Sequence, residues 1–192
     1  AGAGNILIRQ FAADPSYTGK RLDAIAREKL VEPIDAAIDI VRRGGASIMS
    51  FNMQESDMQA FMAQPWTMTS SDGELLALGD GVAHPRSYGP FSRKIRRYVI
   101  ERNVLTLERA IQSMTGLPAA VFRLRDRGAI HPGAMADVVV FDLAAVRDRA
   151  TYEQPHQLSE GMRHVFVNGV AAITDERMTS LRGGKVLSRV RP

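Results

Sequence analysis

The sequence predicts an α/β protein in two parts, with strands and helices over residues 1–120 and a β-rich part over residues 121–192. In the first part, segments with apolar residues at helical spacing follow short apolar runs of the strand type. After Ala120 the chain consists of short apolar runs divided by turn residues, which is typical of β structure. The 192 residues are 45% hydrophobic and 24% charged, which is enough apolar material for a buried core.

The first elements are a strand and two helices. Residues 5–11 (NILIRQF) predict a buried strand, and because it begins so close to the first residue, the chain is expected to be a piece of a larger protein. Residues 20–30 and 33–43 carry apolar residues at helical spacing, with a proline at the start of the second helix. Gly44 and Gly45 are expected to end that helix as a left-handed cap.

The middle of the chain predicts a strand, a helix and a strand in succession. Residues 46–52 and 66–70 are the two short apolar runs. Residues 56–64 between them predict a helix with Ser56 as its N-cap. The crossover is long enough for the two strands to pair in parallel.

Two further helices precede the β-rich part. Residues 91–102 predict a basic helix, interpreted as a solvated arginine-rich face, and residues 106–115 predict an amphipathic helix that Thr106 caps. Residues 116–118 (GLP) are expected to end it. In the β-rich part, Asn168-Gly169 predicts a tight hairpin turn. The strand-like runs there are residues 121–124, 129–130, 137–142, 164–168, 170–174 and 186–190.

Composition excludes several classes of function. The sequence contains no cysteine, so it can hold neither a disulfide, nor a thiolate metal site, nor a cysteine nucleophile. Its 4 histidines are too dispersed for a self-contained histidine-rich metal centre. The apolar runs are too short to cross a bilayer, so we expect no membrane partner. Although the net charge is +4, only 6% of the residues are aromatic, and no nucleic-acid-binding motif accompanies them, so we expect no nucleic-acid partner.

Asp72 is the first candidate site residue. It follows the predicted strand of residues 66–70, and catalytic groups gather at the carboxyl ends of strands in parallel α/β folds. A carboxylate there can act as general base, general acid or metal ligand. The alternative is a turn aspartate bonded to its own backbone, because Ser71-Asp72-Gly73 is favourable turn sequence. The pattern alone favours the turn.

Arg86 is the second candidate, within His84-Pro85-Arg86. A guanidinium fixed beside a proline can bind a carboxylate through two parallel hydrogen bonds. The alternative is an exposed loop arginine in a surface ion pair that contributes little. The residue types leave both interpretations open. His84 itself is interpreted as a hydrogen-bonded loop residue rather than a metal ligand.

A series of motifs resembles a known family. The motifs are, in order, residues 65–73 (PWTMTSSDG), 84–93 (HPRSYGPFSR), 115–118 (TGLP), 127–142 (RGAIHPGAMADVVVFD), 148–166 (DRATYEQPHQLSEGMRHVF) and 167–169 (VNG). Over essentially the whole chain, the sequence resembles the C-terminal part of the N-acyl-D-amino-acid deacylases (D-aminoacylases) of the amidohydrolase superfamily. The segment R-G-x-I-x-P-G-x-x-A-D is shared more widely among amidohydrolases.

The resemblance implies a zinc-bearing (β/α)8 barrel followed by a small β-sandwich. Residues 46–52 and 66–70 would be barrel strands seven and eight, and residues 20–43 would belong to an insertion before strand seven. Residues 121–192 would supply the C-terminal share of the sandwich. The family's main zinc ligands belong to earlier strands, so this chain is expected to supply none of them, with Asp72 at most a weak ligand. An upstream part of the same enzyme is the expected partner.

The resemblance also implies a reaction, the zinc-dependent hydrolysis of N-acyl-D-amino acids to a carboxylate and a free D-amino acid. Asp72 matches the aspartate that accepts a proton from zinc-bound water and passes it to the leaving amine. Arg86 matches the arginine that holds the substrate's α-carboxylate, and Ser71 and His84 are expected in the same substrate site. Two alternatives remain: a cyclic amide hydrolase of the same superfamily, and a catalytically silent piece with a role in assembly only. Homo-oligomer formation and localisation stay open.

Overall fold

The computed structural model of the chain describes residues 2–79 and 83–187, and the chain divides into two compact units. The first unit comprises Ala1–Asp57 and Glu74–His84, and the second comprises Met58–Gly73 and Pro85–Pro192. Both units contain helices, and strands occur in each, so the predicted mixture of helix and sheet is confirmed. The division at residue 120 into a barrel part and a sandwich part stays a prediction.

The first unit pairs two antiparallel strands and packs two helices beside them. Strand β1 (Ile6–Gln10) pairs with β2 (Ser47–Ser50), and helices α1 (Leu22–Lys29) and α2 (Pro33–Arg42) lie between them in the sequence. All four elements were predicted, with bounds that differ by a few residues. The buried core of the unit consists of Ile8, Phe11, Tyr17, Leu22, Ile25, Ala26, Ala36 and Ile40.

The end of α2 confirms the predicted glycine cap. Gly44 and Gly45 have φ angles of 109° and 78°, and the Gly45 N–H donates to the Ile40 carbonyl at 2.9 Å. This bond satisfies a carbonyl that the helix itself leaves without a donor. Glycine adopts such φ angles without the steric cost that a Cβ atom would bring.

Two predictions for the middle of the chain are wrong. Helix α3 (Glu55–Met62) already includes Ser56, so Ser56 is not its N-cap. Residues 66–70 form no strand, and the Thr69 N–H donates instead to the Ser113 carbonyl at 2.9 Å. A strand requires a hydrogen-bonded neighbouring strand. An apolar run without one therefore does not form a sheet, and the predicted parallel pair is absent from the described residues.

The second unit contains the basic and amphipathic helices that the sequence predicted. Helix α4 (Pro90–Arg93) continues directly as a π-helix over Lys94–Glu101, and α5 (Leu107–Met114) follows. Thr106 caps α5 as predicted, because its hydroxyl accepts the Arg109 N–H at 3.2 Å. The π-helix was not predicted, since its longer repeat leaves no distinct signal in so short a segment.

A further helix occupies a stretch for which the sequence predicted a stop and a strand. Helix α6 (Gly116–Phe122) begins directly after α5. Pro118 lies in its first turn, where the missing proline N–H breaks no helical hydrogen bond. The preceding helix does end at Met114, close to the predicted end at residue 115, although residues 116–118 begin a new helix. The predicted strand at residues 121–124 is wrong.

The β-rich part forms a four-stranded antiparallel sheet. Its order is β3 (Val138–Phe141), β4 (Met162–Val167), β5 (Val170–Thr174) and β6 (Arg177–Met178). The turn between β4 and β5 has positive φ at both Asn168 (50°) and Gly169 (80°), which confirms the predicted hairpin turn. Residues 129–130 and 186–187 form no strand. Residues 188–190 of the last predicted run lie outside the described residues.

The motif at residues 127–137 ties the start of the sheet to this hairpin. The Arg127 guanidinium binds the carboxylate of Asp137 and the side-chain oxygen of Asn168. Asp137 also accepts the Asn168 N–H at 2.7 Å, and the Asn168 side-chain amide donates to the Gly183 carbonyl at 2.6 Å. These contacts are hereafter called the Arg127 network. They account for the motif at residues 127–137 by a role in folding of the sheet rather than in catalysis.

Within residues 2–79 and 83–187, no helix is both long and apolar enough to cross a membrane.

Candidate functional site

Asp72 lies in a strained turn with its carboxylate open to solvent. Its φ is 47°, a left-handed conformation that aspartate tolerates better than most residues. The Ser71 hydroxyl accepts the Gly73 N–H at 3.2 Å, and the Ser70 hydroxyl lies 3.4 Å from the Asp72 N–H. The turn therefore satisfies its own backbone through serine hydroxyls and leaves the Asp72 side chain 83% exposed. Ser71 shapes this turn, and its predicted substrate contact stays a prediction.

The structure brings the two principal candidates together. Arg86 lies in the short 3₁₀ segment Pro85–Ser87, and its Nη2 atom is 2.9 Å from Oδ2 of Asp72. The Arg86 side chain is 42% exposed, so the solvent screens the attraction and the pair contributes at most about 1 kcal/mol. A pair held this weakly can open when another carboxylate competes for the guanidinium.

Gly73 allows the two loop segments to approach. A Cβ atom built on Gly73 would lie 3.0 Å from the Arg86 carbonyl oxygen and 3.0 Å from the Ser87 Cα atom. Both neighbours are backbone atoms, so they cannot move aside as a flexible side chain would. The sequence predicted a turn at Ser71-Asp72-Gly73. In the structure Asp72 has the positive φ of this turn, and Gly73 allows the close packing.

The segment after Arg86 is anchored to residues 148–159. The Tyr88 hydroxyl and His156 Nδ1 are 2.8 Å apart, and Arg93 Nη1 lies 3.1 Å from Asp148 Oδ2. Gly89 is required here because a Cβ atom would lie 2.6 Å from the Asp148 Cβ. These partners were not predicted, because they are far apart along the chain.

Lys94 departs from the solvated face predicted for the basic helix. Only 4% of the residue is exposed, and its ammonium donates to the Thr69 hydroxyl at 2.7 Å and the Ser113 hydroxyl at 2.9 Å. Burial, with a smaller contribution from the charge of Arg109, lowers the pKa of Lys94 to about 8. Lysine is seldom buried without a carboxylate partner, so no composition rule could have singled it out.

His84 lies in the first unit, where it is half-buried. Its predicted contact with the substrate stays a prediction.

The described residues contain no group of three or more histidine, cysteine, aspartate or glutamate side chains that could hold a metal ion. Within the described residues, Asp72 therefore belongs to no such group. A coordination site normally needs at least three protein ligands to bind zinc for catalysis.

Comparison with known families identifies the family of the chain that carries these residues. The profile of the amidohydrolase family matches residues 8–173. The chain belongs to the amidohydrolase family. The assignment covers the Asp72 turn, Arg86, the Lys94 helix and most of the β-rich sheet.

Several relatives of this amidohydrolase chain are deacylases. It is 40% identical to an N-acyl-D-glutamate deacylase of Alcaligenes xylosoxydans xylosoxydans over 185 residues, which is 96% of this chain and 36% of that protein. It also matches the crystal structure of a D-aminoacylase with a TM-score of 0.87 and 38% identity, over 97% of this chain and 38% of that one. The resemblance to D-aminoacylases is thereby confirmed.

A second solved structure is an N-acyl-D-glutamate deacylase from Bordetella bronchiseptica, complexed with zinc and a phosphonate inhibitor that mimics the tetrahedral intermediate. The TM-score is 0.79 at 38% identity, over 88% of this chain and 34% of that one. A shorter similarity, 31% identity over 99 residues, links the chain to the dihydroorotase of Lactobacillus acidophilus. The chain spans little more than a third of the deacylases that it matches.

Proposed function

We propose that this chain is the C-terminal part of a zinc-dependent hydrolase that cleaves the amide bond of N-acyl-D-amino acids. The observation that carries the proposal is the 2.9 Å contact between Asp72 and Arg86, which places an exposed carboxylate beside an exposed guanidinium. Similarity to a D-aminoacylase along 97% of the chain supports it. In this proposal the products are a carboxylate and a free D-amino acid.

The proposed architecture is the end of a (β/α)8 barrel followed by the C-terminal share of a β-sandwich, with the division near residue 120. The upstream part of the enzyme would supply the remaining barrel strands. It would also supply the main zinc ligands, because the described residues lack a ligand set.

Asp72 has the properties of a general base. Its carboxylate is exposed and lies 2.9 Å from the Arg86 guanidinium, so it is within reach of water and of a substrate. As the water oxygen adds to the acyl carbon, an Asp72 oxygen takes the water proton. When the carbon–nitrogen bond breaks, the same proton passes to the amine nitrogen, which leaves as a neutral group.

Arg86 has the properties of a carboxylate clamp. A guanidinium presents two parallel N–H groups that match the two oxygens of a carboxylate. An N-acyl-D-amino acid carries its free α-carboxylate next to the scissile amide. A carboxylate bound by Arg86 would therefore hold that amide within reach of Asp72, which is the geometry that the 2.9 Å separation favours.

Zinc would supply an activated water, because a bound zinc ion lowers the pKa of its water to about 7. Among the described residues, Asp72 is the side chain that the proposal places near such an ion, as a base or as a weak ligand.

The test is a substrate panel with the complete enzyme, meaning this chain together with its upstream part. N-acetyl-D-glutamate and N-acetyl-D-leucine are compared with their L enantiomers and with dihydroorotate, and the released amine is quantified. We expect hydrolysis of the D substrates only. Hydrolysis of dihydroorotate alone would instead favour the cyclic amide hydrolase, which the shorter similarity to a dihydroorotase supports. No turnover by a zinc-loaded enzyme would favour the assembly role.

A further inference from the structure

Lys94 joins the segment that leads to Asp72 to helix α5. Its Nζ atom donates to Thr69 Oγ1 at 2.7 Å and to Ser113 Oγ at 2.9 Å. The two hydroxyl oxygens are themselves 3.1 Å apart. The Thr69 N–H donates to the Ser113 carbonyl at 2.9 Å, so Thr69 is held through both its backbone and its side chain.

The hydrogens of this cluster have one consistent arrangement. The Ser113 hydroxyl donates to the Ala110 carbonyl at 2.7 Å, so its oxygen can only accept from the other two groups. The Thr69 hydroxyl must then donate to Ser113 and accept from Lys94. A lysine ammonium can only donate hydrogen bonds. Here it donates to both hydroxyl oxygens and so completes the network.

Folding stability alone does not explain a lysine at this position. Among the described residues no carboxylate forms an ion pair with Lys94, although only 4% of the residue is exposed. A methionine would fill similar space without a buried charge. The helix also changes from α to π at Lys94, and π-helical segments are frequent at functional sites.

The position of Thr69 constrains that of Asp72, because the segment that connects them is short and hydrogen-bonded. Three residues span at most about 11 Å when fully extended. The Ser70 and Ser71 hydroxyls contact the N–H groups of Asp72 and Gly73, which leaves little slack between Thr69 and the turn. A shift of Thr69 would therefore move the Asp72 carboxylate.

We propose that Lys94 is a positioning residue that fixes the Asp72 turn by holding Thr69 against Ser113. The inference rests on the proposed function, because it concerns the base of that reaction. Lys94 does not touch the substrate. Its loss misplaces Asp72 in the transition state and leaves the Arg86 clamp unchanged.

The first test compares Lys94→Met with Lys185→Met, a control at an exposed lysine of the same unit, in the complete enzyme. We expect Lys94→Met to lower kcat on the order of a hundredfold, as a misplacement of about 1 Å does. KM stays within about twofold, zinc content is retained, and thermal stability is not reduced. The control keeps wild-type kinetics.

The second test separates position from packing. Thr69→Val removes the hydroxyl that Lys94 binds and keeps the side-chain shape, whereas Thr69→Ser keeps the hydroxyl. We expect Thr69→Val to lose kcat as Lys94→Met does, and Thr69→Ser to restore most of it. Wild-type kcat in Lys94→Met, or equal loss in both Thr69 variants, overturns the inference alone. A zinc-loaded wild type that hydrolyses no N-acyl-D-amino acid overturns the proposed function and the inference with it.

Discussion

The Nη2 atom of Arg86 lies 2.9 Å from Oδ2 of Asp72, with the two side chains 42% and 83% exposed. This exposure keeps the attraction weak and leaves both groups within reach of solvent and ligand. A substrate carboxylate that binds Arg86 would release the Asp72 carboxylate next to the amide. In the proposed function the two residues would thus form one unit, in which the clamp and the base are adjacent before substrate arrives.

Arg86→Lys should weaken the recognition of the α-carboxylate. Lysine keeps the charge but cannot form two parallel hydrogen bonds. We expect kcat/KM for an N-acyl-D-amino acid to fall about 10- to 100-fold, the equivalent of roughly 1.4–2.8 kcal/mol. The measurement also includes the α-carboxamide analogue of the substrate, which wild type should reject and the variant should distinguish less sharply from the carboxylate. Arg147→Lys, at an arginine that pairs with Glu160 at 2.6 Å, is the control.

Gly73→Ala should disturb the site through space alone. The added Cβ atom would meet the Arg86 carbonyl oxygen and the Ser87 Cα atom, each at 3.0 Å. We expect a reduction in kcat/KM of at least tenfold as Arg86 and Asp72 move apart. Gly184→Ala is the matched control, since nothing lies within 4 Å of its added Cβ atom. Equal kinetics of the two variants would contradict the packing role of Gly73.

Lys94→Met should stabilise the protein at neutral pH. Burial, followed by the charge of Arg109, lowers the pKa of Lys94 from 10.5 to about 8. Between these pH values the unfolded chain binds more protons, so wild-type stability rises with pH there, and the full penalty applies below about pH 8. The variant should gain up to roughly 3 kcal/mol at pH 7, and the gain should disappear towards pH 10.

Thermal unfolding of wild type and Lys94→Met at pH 7 and pH 10 measures this difference, with Lys185→Met as control. A stability difference that does not change with pH would mean that Lys94 is not a buried cation. A gain in stability together with the loss in kcat would identify a residue kept for position at the expense of stability.

Arg127→Met should destabilise the β-rich sheet without direct effect on the chemistry. Arg127 is 10% exposed and binds Asp137, and it also binds the hairpin residue Asn168. Its loss leaves the Asp137 carboxylate without its cation, which should lower the free energy of unfolding by about 2–4 kcal/mol. Denaturant titration tests this against Arg125→Met, an exposed arginine two positions earlier. A similar effect in both variants would argue against the Arg127 network.

Local signals predicted the local structure well. The glycine cap of α2, the Thr106 cap and the Asn168-Gly169 turn depend on a few neighbouring residues, and the structure has all three. The strands predicted at residues 66–70 and 121–124 were wrong because a short apolar run does not specify its hydrogen-bonding partner. One run bonds to a helix end, and the other completes α6.

The candidate site was predictable only in part. Asp72 and Arg86 stood out by motif, but their contact depends on the close approach that Gly73 permits. Lys94 gave no signal, because burial of a lysine depends on distant hydroxyls and on an unusual helix. Its partners Thr69 and Ser113 belong to different segments of the second unit.

The most direct test of the proposed function is to measure the steady-state hydrolysis of an N-acyl-D-amino acid by the complete enzyme carrying Asp72→Asn. The control is Asp175→Asn, at an aspartate with a φ of 48° and a side chain 84% exposed, which closely matches Asp72. We expect Asp72→Asn to lower kcat by about 10²- to 10⁴-fold, the usual contribution of a general base, at unchanged zinc content. Near-normal turnover in Asp72→Asn, equal to that of the control, would contradict the proposed function.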